Sequence, residues 1–283
     1  MTSPFEPGPA EPGPAEPGPA EPGPAEPGAG EAGAGEAAGT AGPGRRAELA
    51  RNLAAVRDRV AAACAAAGRD AGEITLIAVT KTRPAADVVA LAGLGLADFG
   101  ENRDQEAAPK AAAVAATPAV VSWHFIGQLQ TNKAHSVVRY ASMVHSVDRV
   151  RLVRALGTAA RTAAAARAAA GAGELRCLVQ VSLDDDPSRG GVPVREAPQL
   201  AAAIEAEPGL VLGGLMAVAP LGVPPETAFA SLRAVSAALR EINPSATVIS
   251  AGMSGDLEAA VQNGATHLRI GTALLGNRSL PVL

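Results

Sequence analysis

Residues 74–81 read Ile74-Thr75-Leu76-Ile77-Ala78-Val79-Thr80-Lys81, and Pro84 follows three residues later. The apolar run predicts a short buried strand, and Pro84 is well placed to open a helix. An amine at the carboxyl end of such a strand points into the mouth of an α/β fold, where partial desolvation makes it nucleophilic toward an aldehyde. A lone Lys at a strand end is more often exposed and structural, so the rest of the chain has to decide between these two interpretations.

Strand-like and helix-like runs alternate along the chain after an Ala-rich helix that is predicted over 47–67. Eight strands are predicted near 74–80, 96–99, 121–126, 142–147, 175–183, 210–217, 246–251 and 266–270. Helices are predicted between them near 84–93, 102–115, 130–139, 149–170, 196–206, 225–241 and 255–263. Eight βα units predict a parallel sheet that closes into a single TIM-type (β/α)8 barrel. An open doubly wound sheet is the alternative, but no Gly-x-Gly-x-x-Gly motif opens its first βα turn.

The first 44 residues have a different composition from the rest. Glu6-Pro7-Gly8-Pro9-Ala10 recurs in four full copies through Ala25, and 11 of the 23 prolines lie in this segment, which holds no Lys, Arg, Ile, Leu or Val. With so little apolar surface to bury, the segment cannot offset its ordering entropy. We therefore predict a disordered, partly polyproline-II tail rich in Pro, Gly and Glu over residues 1–44, and a barrel domain over residues 45–283.

Composition excludes several classes of function for the barrel domain. Residues 45–283 carry 24 basic and 21 acidic side chains, which is far from a nucleic-acid charge footprint, and the chain is only 2% aromatic. No apolar stretch approaches the roughly 20 residues of a membrane-spanning helix. Cys64 and Cys177 form no close-spaced motif, and the four His show no metal-ligand spacing. We therefore expect a cytoplasmic protein that binds neither nucleic acid, nor a membrane, nor a metal.

The ends of the predicted strands hold the candidate site, because reactive residues of a parallel barrel come from the loops at the carboxyl ends. The loops after the seventh and eighth strands commonly bind phosphate through backbone N–H groups. Here those loops contain Ser254, within Gly252-Met253-Ser254-Gly255-Asp256, and the pair Gly271-Thr272. Each piece alone is ordinary turn chemistry, but their joint placement predicts a phosphate site.

Arg269 is the third part of this site. By two-residue alternation it points inward from the eighth strand, where a guanidinium is costly unless it meets an acceptor. The structural interpretation is an ion pair with Asp98 or Glu101, and the functional one places Arg269 beside the ring nitrogen of a ligand. Together, Lys81, Arg269 and a phosphate site describe pyridoxal 5'-phosphate held as a Schiff base.

Six runs of the sequence resemble the YggS-like pyridoxal phosphate homeostasis proteins, in order and with suitable spacing over roughly residues 47–278. The runs are Ala78-Val79-Thr80-Lys81-Thr82, Gly100-Glu101-Asn102, His124-Phe125-Ile126-Gly127-Gln128-Leu129-Gln130-Thr131-Asn132-Lys133, Gly214-Leu215-Met216, Gly252-Met253-Ser254-Gly255-Asp256 and Arg269-Ile270-Gly271-Thr272. The resemblance implies a barrel like the N-terminal domain of alanine racemase. It implies that the cofactor is bound by Lys81, Asn102, Ser254, Arg269, Gly271 and Thr272. In that set the lysine forms the Schiff base, the arginine lies at the pyridine nitrogen, and the serine, glycine and threonine bind the phosphate.

The resemblance also implies a function in intracellular pyridoxal phosphate homeostasis, namely buffering and delivery without robust turnover. The expected partners are the cofactor and the apoenzymes that receive it, and a monomer is expected. The alternative is an amino-acid racemase-like enzyme, which needs a second acid–base group such as the tyrosine that a further β domain supplies in alanine racemase. Tyr140, the only tyrosine, lies in or just after a predicted helix, and the chain ends at Leu283 without room for that domain. Both points favour the carrier; a third hypothesis makes the tail an interaction segment anchored by the barrel.

The remaining candidates have simpler interpretations. Trp123 is predicted to pack at a strand entrance, His124, His145 and His267 to be structural, and Cys177 to fill apolar space. The run Asp184–Asp186 is predicted to be a solvated loop. Two positions depart from the family pattern: Arg103 follows Gly-Glu-Asn where many relatives have an aromatic residue, and Arg189 stands where relatives often carry Lys. Since Arg cannot form an imine, a second covalent cofactor site at Arg189 is in doubt.

Overall fold

The computed structural model describes residues 39–184 and 190–277. Its strands are β1 (Thr75–Val79), β2 (Asp98–Glu101), β3 (Ser122–Phe125), β4 (Ala141–Val147), β5 (Leu175–Ser182), β6 (Val192–Pro193), β7 (Leu210–Met216), β8 (Val248–Ser250) and β9 (His267–Ile270). Its α-helices are α1 (Pro43–Ala66), α2 (Ala85–Ala92), α3 (Asp104–Ala115), α4 (Ala134–Val137), α5 (Val150–Ala169), α6 (Ala197–Glu205), α7 (Pro225–Ile242), α8 (Leu257–Gln262) and α9 (Thr272–Leu275). Most of the predicted tail, residues 1–38, lies outside the described residues, and so do Asp185, Asp186 and Arg189, so the predictions for them stay predictions.

The strands form a closed parallel ring, which confirms the predicted (β/α)8 barrel. Around the ring the order is β1, β2, β3, β4, β5, β7, β8 and β9, and β9 pairs with β1 again through Ile77 opposite Arg269. The two-residue strand β6 pairs with β5 beside the ring. A parallel barrel collects the carboxyl ends of its strands at one mouth, and every predicted site residue lies at or near that mouth.

The structure differs from the prediction in several elements: α9 was not predicted, α4 covers only Ala134–Val137 of the helix predicted over 130–139, and β6 and the start of α1 also differ. Strand β6 was not predicted, because two residues are too few to show an alternating pattern. Helix α1 begins at Pro43, four residues before the predicted start, because proline fits the first turn of a helix. Arg45 then holds this first turn by donating to Asp87 Oδ2 at 2.6 Å and to the Leu275 carbonyl at 3.1 Å.

Helix α1 packs on the outside of the barrel through one apolar stripe. Leu49, Leu53, Val56 and Val60 recur every three or four residues and are all buried. Burying each such side chain contributes roughly 1.5–3 kcal/mol before entropic costs. On the sheet, Trp123 is buried and its ring centroid lies 6.0 Å from that of Phe99. The wall that carries the site is therefore held from outside by close packing.

Within residues 39–184 and 190–277, no helix combines the length and the apolar composition that crossing a bilayer requires. Across the same residues, His, Cys, Asp and Glu form no group of three or more with the geometry of a metal site.

Candidate functional site

The end of β1 is fixed by a buried cluster of Thr80, Glu101 and Lys110. Glu101 Oε1 accepts hydrogen bonds from Lys110 Nζ at 2.6 Å and from Thr80 Oγ1 at 2.7 Å, and Lys110 Nζ also donates to the Thr80 carbonyl at 2.7 Å. Burial raises the pKa of Glu101, and the Lys110 ammonium opposes that rise. The cluster joins β1, β2 and α3 directly beneath the position where Lys81 leaves the sheet.

Lys81 lies at the mouth of the barrel, two residues beyond the end of β1. Its half-buried side chain lines a cavity of about 340 Å³ together with Gly271 and Thr272, which follow β9. Two parts of the predicted site, the lysine and the loop after the last strand, therefore share one cavity.

The backbone after Lys81 is strained. Thr82 has φ of 61°, and it is the only non-glycine residue with positive φ among those described. A β-branched residue rarely occupies this left-handed region, and such strain is often found at functional sites. The Thr82 N–H donates to Glu106 Oε2 of α3 at 2.9 Å, which holds the turn in place. A strained turn held by α3 therefore follows the candidate lysine directly.

The two predicted phosphate loops meet at the start of α9. Ser254 Oγ, in the loop after β8, accepts a hydrogen bond from the Ala273 N–H at 3.2 Å. Arg59 of α1 holds the same loop by donating to the Ser254 carbonyl at 3.1 Å. The structure thus brings Ser254 next to Gly271 and Thr272, as the sequence predicts for a site built from these loops.

Arg269 is buried inside the barrel, with 5% of its surface exposed. It donates to Ser250 Oγ at 2.6 Å and to the Ala217 carbonyl at 2.9 Å, both neutral acceptors. Burial lowers the pKa of Arg269 to about 10, and Asp256 opposes the change. The sequence left open a direct ion pair of Arg269 with Asp98 or Glu101. Among the described contacts Arg269 forms neither pair, because Glu101 contacts Lys110 and Asp98 contacts His124.

Asn102 lies in a neighbouring part of the mouth. It lines a separate cavity of about 430 Å³ with Gln128 and Lys133, instead of the cavity that Lys81 lines. Its buried Oδ1 has no hydrogen-bond partner among the described residues, which leaves an acceptor ready for a ligand. Gly127 packs closely against the backbone of Asn102, because a Cβ atom at position 127 would lie 2.2 Å from the Asn102 carbonyl oxygen. Only glycine fits at that position.

Other side chains contribute less to the mouth. The Tyr140 hydroxyl donates to Asp104 Oδ1 at 3.3 Å, and burial, helped by Asp104, raises the pKa of Tyr140. Burial raises the pKa of the Cys177 thiol to about 12, so this cysteine is a poor nucleophile. Arg103 is exposed at the rim of the Asn102 cavity.

The sequence missed a polar network inside the barrel. His124 and His145 are buried and hydrogen-bonded to each other at 2.9 Å, and the ring of His267 lies 6.3 Å from that of His124. The sequence contained an indication of this network, because each histidine lies at an inward-facing position of a predicted strand. Positions on different strands can only be connected once the register of the barrel is known.

The histidines make stability depend on pH. Burial is the main cause that lowers the pKa of His267 to about 4, and it lowers that of His145 well below its ordinary value. The unfolded chain binds these protons near pH 6.5, whereas the folded barrel binds them only at lower pH. The free energy of unfolding is therefore largest above about pH 6.5 and decreases as the pH drops toward 4. His267 alone accounts for up to about 3 kcal/mol.

The free energy of unfolding, measured with urea between pH 6.5 and 4, should depend less on pH in His267→Asn than in the parent. Equal slopes would contradict the assignment.

The fold and the position of the candidate site define a class: a parallel barrel whose candidate binding residues lie at the carboxyl ends of its strands. The profile of the family described as "Alanine racemase, N-terminal domain" matches residues 49–279. The chain belongs to this family and, within it, to the group of pyridoxal phosphate homeostasis proteins. It is 46% identical over 253 residues to the "Pyridoxal phosphate homeostasis protein" of Mycobacterium tuberculosis, covering 85% of this chain and 97% of the relative.

Two solved structures are similar over nearly their whole length. An unknown protein from Bifidobacterium adolescentis has a TM-score of 0.74 and 29% identity, covering 84% of this chain and 99% of that one. PipY of Synechococcus elongatus, solved with pyridoxal phosphate bound, has a TM-score of 0.68 and 32% identity, covering 81% of this chain and 100% of that one. The family suggested by the sequence motifs is therefore confirmed.

Proposed function

We propose that this protein binds pyridoxal 5'-phosphate as a Schiff base on Lys81 and contributes to intracellular homeostasis of the cofactor by buffering and delivery, without robust turnover. The observation that carries the proposal is the cavity that Lys81 shares with Gly271 and Thr272. A primary amine beside a loop suited to phosphate is the arrangement that a phosphorylated aldehyde requires. The names of the relatives and the pyridoxal phosphate bound in PipY support the same cofactor.

The donor set of the mouth fits this cofactor. Lys81 Nζ supplies the amine that condenses with the aldehyde, and Ser254, Gly271 and Thr272 supply hydroxyl and N–H groups for the phosphate. Arg269 has guanidinium N–H groups beyond the two that Ser250 and Ala217 accept. A guanidinium stays protonated, so beside a ring nitrogen it donates and leaves that nitrogen unprotonated. The orphaned Oδ1 of Asn102 offers an acceptor at the edge of the site.

The mouth supports a carrier better than a racemase. Racemisation needs a second acid–base group opposite the lysine. Tyr140 is the only tyrosine of the chain, and its hydroxyl is occupied by Asp104 and its pKa is raised. A tyrosine so placed is a poor proton donor or acceptor for a ligand at Lys81.

The protein also has an oligomeric state, a cellular compartment and partners that receive the cofactor. We propose that it works as a monomer in the cytoplasm and delivers the cofactor to apoenzymes. Its two cysteines are free and buried, which suits a reducing compartment. Size-exclusion chromatography with light scattering checks the monomer; transfer of cofactor from the loaded protein to a pyridoxal phosphate-requiring apoenzyme checks delivery.

The direct test is to titrate the purified chain with pyridoxal 5'-phosphate and then reduce it with borohydride. We expect yellow Schiff-base absorbance, and one equivalent of cofactor fixed to the peptide that contains Lys81. Pyridoxamine 5'-phosphate, which keeps the ring and phosphate but lacks the aldehyde, is the matched control and should give no fixed adduct. A preparation that stays colourless with pyridoxal phosphate would contradict the proposal.

A further inference from the structure

A hydrogen-bonded chain crosses the interior of the barrel from Arg269 to Asp98. Arg269 Nη1 lies 2.6 Å from Ser250 Oγ, and Ser250 Oγ lies 2.9 Å from His145 Nδ1. His145 Nε2 lies 2.9 Å from His124 Nδ1, and His124 Nε2 lies 2.9 Å from Asp98 Oδ1. We call these five residues the Arg269–Asp98 relay. They come from β9, β8, β4, β3 and β2, so the relay spans the inside of the ring.

With both imidazoles neutral, the Asp98 carboxylate and the Arg269 guanidinium fix the direction of every hydrogen bond in the relay. A guanidinium can only donate, and an ionised carboxylate can only accept. Ser250 therefore accepts from Arg269 and donates to His145 Nδ1. His145 Nε2–H then donates to His124 Nδ1, and His124 Nε2–H donates to Asp98. In this arrangement both rings are Nε2–H tautomers, and burial lowers the pKa of His145.

The relay joins the two ends of the barrel. Asp98 and His124 line a cavity of about 550 Å³ at the amino ends of the strands, where Thr75, Ser122 and His267 also contribute. Arg269 lies two residues before Gly271 on the strand that leads to the Lys81 cavity. A buried cation near the proposed cofactor site is thus connected to a carboxylate at the opposite end through one serine and two histidines.

We propose that Ser250, His145 and His124 are positioning residues that hold Arg269 as a donor toward the ring nitrogen of the bound cofactor; this rests on the proposed function. Without Ser250, the Nη1 group of Arg269 loses the acceptor that fixes the guanidinium plane. Without a neutral imidazole at His145, the serine hydroxyl loses the acceptor that orients it. The carboxylate of Asp98 completes the chain and fixes the tautomer of His124.

The relay makes the site sensitive to acid from inside the barrel. A protonated imidazole cannot accept at Nδ1, so protonation of His145 removes the acceptor of the Ser250 hydroxyl. The charged and titratable groups that face the relay are Asp256 at Arg269, His267 at His145 and His124, and Arg176 near His267. Arg269 opposes protonation of His145, and Arg176 and Arg269 oppose protonation of His267.

The test compares Ser250→Ala with Ser146→Ala. Both serines are buried on barrel strands, but Ser146 Oγ has no hydrogen-bond partner among the described residues, so its removal leaves the relay intact. We expect Ser250→Ala to weaken pyridoxal 5'-phosphate binding roughly tenfold, as loss of one hydrogen bond to a charged group implies. It should also shift the pH profile of Schiff-base absorbance, whereas Ser146→Ala should leave both unchanged. Equal effects of the two variants, or none in Ser250→Ala, would overturn the positioning role.

A second measurement does not need the cofactor. Nitrogen-15 NMR of the histidine side chains in the ligand-free protein should show His145 and His124 as neutral Nε2–H tautomers at neutral pH, and Ser250→Ala should change the Nδ1 signal of His145. Nδ1–H tautomers or a cationic ring would overturn the relay. Failure of the parent protein to bind pyridoxal 5'-phosphate would overturn the proposed function and the cofactor role of Arg269, and the NMR result would still decide the hydrogen-bond directions.

Discussion

Lys81→Ala is expected to abolish both the yellow absorbance and the borohydride-fixed adduct with pyridoxal 5'-phosphate. The chain contains three lysines, Lys81, Lys110 and Lys133, so few amines compete for the aldehyde. Lys110 is 8% exposed and donates to Glu101 and to the Thr80 carbonyl, which leaves its ammonium committed. Loss of Lys81 should therefore remove the covalent attachment completely, while residual binding through the phosphate loops persists. Absorbance and intact mass after reduction measure this result.

Lys133→Ala is the matched control for that experiment. Lys133 is also half-buried at the mouth, but it lines the cavity of Asn102 and not the one that Lys81 lines. Its removal should leave the adduct at one equivalent per chain. If the adduct persists in Lys81→Ala and disappears in Lys133→Ala, the Schiff base has been assigned to the wrong cavity.

Lys110→Met is expected to destabilise the barrel by about 3–5 kcal/mol, because it leaves the carboxylate of Glu101 buried without its cation. Glu101 is 0% exposed, and its Oε2 already lacks a partner among the described residues. A loss of this size is a large share of the stability of a single domain. Urea unfolding followed by tryptophan emission measures it.

The double variant Lys110→Met with Glu101→Gln tests whether the lost stability comes from the unpaired carboxylate of Glu101. The glutamine is neutral, so it needs no cation, and its carbonyl oxygen can still accept from the Thr80 hydroxyl. We expect the double variant to regain at least half of the stability lost in Lys110→Met. If both are equally destabilised, the unpaired carboxylate of Glu101 is not the cause of the loss in Lys110→Met.

Much of this molecule could be predicted from its sequence, because a parallel barrel places all strand ends at one mouth. The order of strands and the position of Lys81 beside Gly271 and Thr272 follow from that rule alone. The environment of Arg269 could not be predicted, because it depends on the register between strands that are not neighbours. Asp98 was one of two candidate ion-pair partners in the structural interpretation of Arg269, and it is joined to Arg269 through a serine and two histidines.

The conformation of the turns at the mouth could not be predicted from the sequence either. The left-handed conformation of Thr82 has no sequence signal, since a β-branched residue argues against it. Asn102 also lies in a cavity next to that of Lys81, because its direction depends on how the chain turns after β2. Motifs therefore indicate which residues gather at the mouth, and the turns determine which cavity each side chain lines.

Trp123 gives the protein a built-in fluorophore. It is the single tryptophan of the chain, it is buried against Phe99 in the barrel wall, and the first 44 residues contain neither tryptophan nor tyrosine. Indole emission from the intact chain therefore reports on the barrel alone, with no background from the repeat segment. A yellow chromophore in the same domain would quench that emission by energy transfer, so one optical signal can follow both unfolding and loading.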